Sequence, residues 1–256
     1  MKEEKVGLPT LASSVIWMIS LGYLGVQIAF TLETSQMSRI FQTLGADPTK
    51  LGWFFILPPL AGLAVQPGIG SLSDRTWIPK IGRRLPYLLI GMIFAVLTMV
   101  ILPNVGSFGL GYGSIEALIF GAVAIAVLDV ASNMAMQPFK MMIGDMVNDE
   151  QKSYAYGIQS MLSNFGAVIA AFFPFLLTTL GVANTAKKGV VPQSVVISFY
   201  VGAAVLVITS LFTIFRVHEY DPETYARYHG IKESDNQEGG SWINLLKKAP
   251  KVFWQV

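Results

Sequence analysis

Long apolar stretches alternate with short polar segments along most of the chain. Each stretch holds roughly 20 residues, the length of helix that crosses the hydrocarbon core of a bilayer. The six stretches cover residues 11–34 (or as far as 40), 51–72, 85–102, 115–138 with a polar extension to 145, 154–180, and 194–215. The pattern therefore predicts an all-α membrane protein with six transmembrane helices.

The composition supports this interpretation. Hydrophobic residues make up 53% of the chain and charged residues only 13%, whereas a soluble domain carries about 25% charged residues. The net charge of +2 gives no case for nucleic-acid binding. Cysteine is absent, which excludes disulfides and thiolate chemistry, and His218 and His229 both follow the last apolar stretch. A histidine relay within the membrane is therefore excluded.

The distribution of Lys and Arg predicts the orientation of the helices. Fourteen of the 18 lie in segments on one side of the predicted membrane, and the other side holds Arg39, Lys50, Lys187 and Lys188. Because cytoplasmic loops carry the excess of positive charge, we expect the N-terminus and the C-terminal tail to be cytoplasmic. We expect a six-helix bundle over residues 1–216 and a cytoplasmic central linker over 217–256, which leads into a truncated seventh span.

A basic loop between the second and third stretches carries the densest charge. Its sequence, GSLSDRTWIPKIGRRLP over residues 70–86, contains Asp74, Arg75, Lys80, Arg83 and Arg84. One interpretation is that these cations only set topology. A topology anchor, however, requires only Lys and Arg, and this loop adds an acid, glycines and paired arginines.

The fourth stretch contains a polar stripe. Helical spacing aligns Asp129, Ser132, Asn133, Met136, Gln137 and Lys140 along one face. An acid at bilayer depth is costly and usually faces a cavity or a partner, so we interpret Asp129 as a proton carrier. The alternative is an Asp that is hydrogen-bonded and joins helices. Lys140 lies about 16 Å from Asp129 along the helix. The alternative interpretation of Lys140 is that its side chain simply extends to the membrane surface.

The first stretch contains a second stripe, formed by Tyr23, Gln27, Phe30 and Thr34. A carbohydrate site needs aromatic rings that pack against the C–H faces of the sugar. It also needs amides or hydroxyls that form hydrogen bonds with the sugar hydroxyls. Ordinary helix packing is the competing interpretation. Glu33 is interpreted as a second coupling or binding group, or as part of an outer vestibule.

The basic loop resembles a signature of the major facilitator superfamily, G-x-L-a-D-r-x-G-r-k. Its longer form, SDRT followed by GRR and Pro, is similar to the sucrose-type and glycoside–cation symporters of that superfamily. The segment LDVASNMAMQPFKMMIGDM resembles the fourth-helix signature of the same group. The resemblance implies that Asp129 couples transport to protons, and that Lys140, where the family more often has Arg, takes part in sugar binding. It also implies a cytoplasmic gate formed by Asp74, Arg75, Arg83, Arg84 and Asp145.

The resemblance extends over nearly the whole chain. The segment GVQIAF is part of the group's first-helix pattern, and the second helix, the last external loop and the tail HEYDPETYARYHGI resemble bacterial maltose or maltooligosaccharide transporters. It implies the N-terminal half of a twelve-helix carrier, with the C-terminal six-helix half missing from this chain. Together with the two polar stripes, it leads us to expect a substrate-binding set of Tyr23, Gln27, Phe30, Glu33, Asn133, Gln137 and Lys140.

We therefore expect a secondary active transporter of the bacterial cytoplasmic membrane. It would carry out proton-coupled symport of a disaccharide or short oligosaccharide by alternating access, with sugar, proton and membrane lipid as partners and without a cofactor or metal. A carrier-like sensor and a sodium-coupled glycoside transporter are the alternatives. An enzyme is not expected, because the sequence contains no HExxH helix and no nucleophile–base pair.

Overall fold

A computed structural model describes residues 7–47, 56–110 and 112–230 of the chain. These residues form seven α-helices and a short 3₁₀ helix, Leu102–Phe108. The α-helices are α1 (Ser13–Thr43), α2 (Leu57–Asp74), α3 (Leu85–Ile101), α4 (Ile115–Met146), α5 (Asp149–Thr179), α6 (Gln193–Arg216) and α7 (Pro222–His229). No β-strand forms in these described ranges beyond an isolated bridge between Ile78 and Gly82. The predicted all-α class is confirmed.

Five helical segments are long and apolar enough to cross a membrane: Ser13–Thr43, Leu85–Val105, Ile115–Met146, Asp149–Thr179 and Gln193–Arg216. They correspond to the first, third, fourth, fifth and sixth predicted spans. The second predicted span is helical over Leu57–Asp74, but residues 51–55 lie outside the described part of the chain. Its described portion includes Gln66, Pro67 and Asp74 and does not reach the apolarity of the other five.

Side-chain caps set the ends of the central helices. Ser114 Oγ accepts the backbone N–H of Ala117 at the start of α4. Asn148 Oδ1 accepts the N–H of Gln151, so α5 begins at Asp149 and not at the predicted residue 154. Such caps satisfy backbone donors that the first helical turn leaves unpaired. Helix α4 continues through Pro138 to Met146, so the predicted polar extension is part of the same helix.

Helix α1 lies at the centre of the bundle and packs against α4, α5 and α6, while α4 also packs against α2 and α3. Glycines allow the closest approaches. A Cβ at Gly91 on α3 would lie 2.7 Å from the backbone nitrogen of Ala135 on α4, and a Cβ at Gly166 on α5 would lie 2.9 Å from the carbonyl oxygen of Leu24 on α1. At both positions the helices approach too closely for a side chain.

The bundle has two distinct ends. Residues 75–84 and helix α7 lie at one end, which we call the loop end. At the opposite end, the N–H of Gly113 donates to the carbonyl of Leu44 over 2.8 Å, which joins the start of α4 to the end of α1. Large apolar side chains, including Phe172 and Phe215, remain exposed on the outside of the bundle. Such exposure suits contact with lipid acyl chains.

Candidate functional site

Arg84 organises the loop end. Its guanidinium lies 3.0 Å from Asp145 Oδ2 through Nε and 2.6 Å from Asp74 Oδ1 through Nη2, so it joins the ends of α2 and α4. Nη1 donates to Ser73 Oγ, and Arg84 is only 4% exposed. Burial lowers the pKa of Arg84, but Asp145 and then Asp74 outweigh this effect, and the net pKa lies above its ordinary value. The planar fork of Arg suits such simultaneous contacts.

Arg83 reaches the same carboxylate from another direction. Its Nη2 lies 3.0 Å from Asp145 Oδ2, and its guanidinium lies 3.8 Å above the centre of the Tyr225 ring. The Tyr225 hydroxyl donates to Asp145 Oδ1 over 3.3 Å. Asp145 therefore holds α4, the basic loop and α7 together.

Glu219 completes this cluster, and the sequence analysis missed it. Its carboxylate accepts the backbone N–H groups of Arg83 at 3.1 Å, Arg84 at 2.9 Å and Leu85 at 3.0 Å, and so caps α3 from outside the helix. Burial raises the pKa of Glu219, although these three donors oppose the rise. No local signal marks this acid as a cap, because its partners lie more than 130 positions earlier in the chain.

Arg75, the remaining predicted gate residue, ends α2. Its backbone N–H donates to the carbonyl of Leu72 over 3.2 Å. The structure thus brings Asp74, Arg83, Arg84 and Asp145 into one cluster, while the predicted role of Arg75 in a gate still depends on the loop motif.

A second polar cluster joins α2 to α4, from an exposed amide on α2 to a buried acid on α4. Asn133 Nδ2 donates to Asp129 Oδ2 over 3.2 Å and to the Asp129 carbonyl over 3.0 Å. Gln66 Nε2 on α2 in turn donates to Asn133 Oδ1 over 3.0 Å. Asp129 is only 3% exposed. Asn133 therefore holds the buried Asp129 carboxylate in place, and Gln66 in turn orients the Asn133 amide.

Further along α4, the side chains of the predicted stripe differ in their exposure to solvent. Gln137 is buried, whereas Lys140 is exposed. The stripe thus runs from a buried acid to an exposed cation toward the loop end.

The polar stripe on α1 divides in a similar way. Gln27 Oε1 accepts the hydroxyl of Ser163 on α5 over 3.0 Å, and Gln27 Nε2 donates to Thr31 Oγ1 over 3.3 Å. Gln27 and Phe30 are partly exposed. Tyr23 is buried and meets the Phe139 ring edge-on, with centroids 6.0 Å apart. Gln27 and Phe30 are thus more accessible to a ligand than Tyr23.

Glu33 is the most unusual residue of the α1 stripe. It is 2% exposed, and neither carboxylate oxygen has a hydrogen-bond partner among the residues that the structure describes. Helix α1, which carries Glu33, packs against α4, which carries Asp129. The position of Glu33 in the bundle interior does not correspond to a surface vestibule.

Within the described ranges, no group of three or more His, Cys, Asp or Glu is placed to hold a metal ion. Helices of membrane-spanning length, with a few acids and amides buried in an apolar core and a charge cluster at one end, define a multi-pass membrane protein. Acids and amides at membrane depth are typical of transporters and pumps.

Comparisons with known proteins identify the family. The chain belongs to the Major Facilitator Superfamily, whose model matches residues 13–254. It is similar to sucrose transport protein SUC4 of Arabidopsis thaliana, with 25% identity over 88% of this chain and 49% of that protein. It is also similar to the general alpha-glucoside permease of Schizosaccharomyces pombe, with 26% identity over 67% of this chain and 32% of that protein. Sucrose transport protein SUT2 of Oryza sativa subsp. japonica is 26% identical over 85% of this chain and 46% of that protein.

The chain spans about half the length of the curated relatives it matches. The predicted resemblance to the sucrose-type group of the superfamily is confirmed. The prediction that the chain corresponds to half of a major facilitator fold is confirmed as well. These relatives are transporters and a permease, so the expectation of a transporter family and not an enzyme family is confirmed as well. The likeness to bacterial maltose transporters stays a prediction.

Proposed function

We propose that this chain forms half of a secondary transporter that moves a disaccharide or short α-glucoside together with a proton. Support comes from its family and from relatives named for sucrose and alpha-glucosides. The observation that carries the proton-coupling part is Asp129, a buried acid in α4 that Asn133 holds in place.

The environment of Asp129 suits a site that gains and loses one proton. A carboxyl group surrounded by apolar helices favours its neutral form, and water that enters from one side restores the charged form. Alternate opening of the two sides therefore changes the affinity of Asp129 for a proton. Coupling arises when sugar binding and proton binding favour the same conformational change.

The loop-end cluster is the proposed gate. Arg83 and Arg84 join Asp74 and Asp145, which stabilises one packing of α2, α3 and α4, and Arg75 is assigned to the same gate by its motif. The excess of Lys and Arg on this side supports a cytoplasmic location of the loop end under the positive-inside rule. We propose the bacterial cytoplasmic membrane as the location.

The proposed sugar site lies along α1 and α4. Gln27 and Phe30 supply an accessible amide and ring, Asn133 and Gln137 supply buried amides, and Lys140 supplies a cation near the gate. Tyr23 contacts Phe139 and stabilises the wall behind the site. Glu33, also predicted to bind substrate, is more buried than Gln27 and Phe30.

The test uses the full-length carrier in proteoliposomes that contain a pH-sensitive dye. We expect addition of maltose or sucrose to acidify the interior, because sugar and proton enter together. Asp129→Asn should abolish this signal and uphill uptake, yet preserve part of the sugar exchange that requires no net proton movement. The matched control is Asp149→Asn, whose side chain is 93% exposed at the start of α5.

Undiminished accumulation by Asp129→Asn would refute its coupling role. A carrier that accumulates sugar only with a sodium gradient would establish sodium coupling instead. A folded carrier that binds sugar without any uptake would support the sensor alternative.

A further inference from the structure

Glu33 presents a problem that the proposed sugar site does not explain. It is enclosed by the bundle at 2% exposure, and both carboxylate oxygens lack partners among the described residues. An ionised carboxylate is costly in such surroundings unless it is paired and hydrogen-bonded. Glu33 is therefore best accommodated as a neutral acid that carries a proton.

The helix ends allow the depths of Glu33 and Asp129 to be compared. The end of α1 and the start of α4 meet at the hydrogen bond between Leu44 and Gly113. At the helical rise, Glu33 lies about 15 Å below the end of α1, and Asp129 lies about 21 Å below the start of α4. Glu33 is thus nearer to the opposite end of the bundle than Asp129.

A further polar group continues this series outward. Gln36 lies one turn beyond Glu33 on α1 and is also buried, and its Oε1 has no partner among the described residues. Gln36, Glu33 and Asp129 therefore form a descending series of buried polar side chains. Asp129 lies on α4, which packs against α1.

We infer that Glu33 is a second proton-binding site that relays protons between the opposite end of the bundle and Asp129. The Glu33 carboxyl gives its proton to the Asp129 carboxylate, directly after side-chain rotation or through a water molecule. Glu33 then takes a new proton from the opposite end, and Asp129 releases its proton toward the loop end, so one proton moves inward and each carboxyl group recovers its starting state. This inference rests on the proposed proton-coupled function.

Two other roles fit the geometry less well. At 2% exposure, Glu33 is the least accessible residue of the predicted substrate-binding set, in which Asn133 is 6% and Gln137 is 7% exposed. A purely structural acid would hold helices together through hydrogen bonds, and no such bond is formed within the described ranges.

The test compares Glu33→Gln with wild type in the full-length carrier, with two readouts: the rate of sugar-driven acidification, and sugar exchange at equal pH. We expect Glu33→Gln to slow acidification at least about tenfold, as removal of a positioned proton-transfer group does, with exchange changed less than about twofold. Glu33→Asp keeps a carboxyl group and should restore part of the rate. Glu116→Gln, an exposed acid at the start of α4, is the matched control and should behave as wild type.

The outcomes separate this relay from the coupling role of Asp129. Acidification by Glu33→Gln at the wild-type rate would overturn the relay and leave the proposed function intact. Loss of exchange together with acidification, in folded protein, would also overturn it, because Glu33 would then serve sugar binding. Absence of sugar-driven acidification in wild type would refute both proposals. If Glu33→Gln does not fold, Gln36→Leu provides the test: slower acidification with normal exchange supports the relay, and an unchanged rate overturns it.

Discussion

Single carboxylates determine how the loop end is assembled. Asp145 forms ion pairs with both arginines and accepts a hydrogen bond from the Tyr225 hydroxyl. Glu219 accepts hydrogen bonds from three consecutive backbone N–H groups at the start of α3. Asp145 was expected from the family signature, which is a short pattern within one helix. Glu219 was not, because its role depends on how the chain after α6 returns to the start of α3.

We expect Glu219→Ala to lower the free energy of unfolding by about 2 kcal/mol, because three buried N–H groups lose a charged acceptor. Chemical or thermal unfolding of the purified carrier measures this change. Glu219→Gln keeps one acceptor oxygen and should lose less. Glu223→Ala removes an exposed acid in the first turn of α7, and equal effects of Glu219→Ala and Glu223→Ala would contradict the capping role.

Close packing of helices accounts for several glycines of the bundle. Apolar length and helix propensity predict where each helix lies, but they do not say which faces meet. The approach of α3 to α4 is set at Gly91, where an added Cβ would meet the backbone of Ala131 and Ala135. Backbone atoms cannot rotate away as a flexible side chain can, so this contact is intolerant of even one added carbon.

Gly91→Ala should therefore destabilise the protein by roughly 1–3 kcal/mol, the usual range for overpacking in a close-packed interior. Gly157→Ala on α5 is the matched control, since nothing lies within 4 Å of its added Cβ, and it should stabilise its helix by roughly 0.5–1 kcal/mol. Melting temperatures of the two variants provide the comparison. A Gly91→Ala protein as stable as Gly157→Ala would show that α3 and α4 are not packed as described.

The whole molecule has a basic loop end and an opposite end whose described cations are Arg39, Lys187 and Lys188. This separation gives the proposed orientation, with the loop end in the cytoplasm. The chain has no cysteine, so single-cysteine variants report the exposure of one position each.

A membrane-impermeant thiol reagent added to intact cells should label Lys187→Cys and not Glu223→Cys. Both residues are exposed, one at each end of the bundle. Glu223→Cys should become reactive only after the membrane is permeabilised, and the wild-type chain should remain unlabelled. Labelling of Glu223→Cys in intact cells would reverse the proposed orientation.

The sequence by itself determined the membrane class, the approximate bounds of the helices and the residues of the basic loop and the α4 stripe. These are local properties: apolar length, helical spacing and short motifs are read within a few turns of chain. Only the tertiary structure decided that Asp145 joins both arginines, that Glu219 caps α3, and that Glu33 is enclosed beside the helix of Asp129. Those facts depend on which helix faces meet, and packing between distant segments determines them, because no single segment contains both partners.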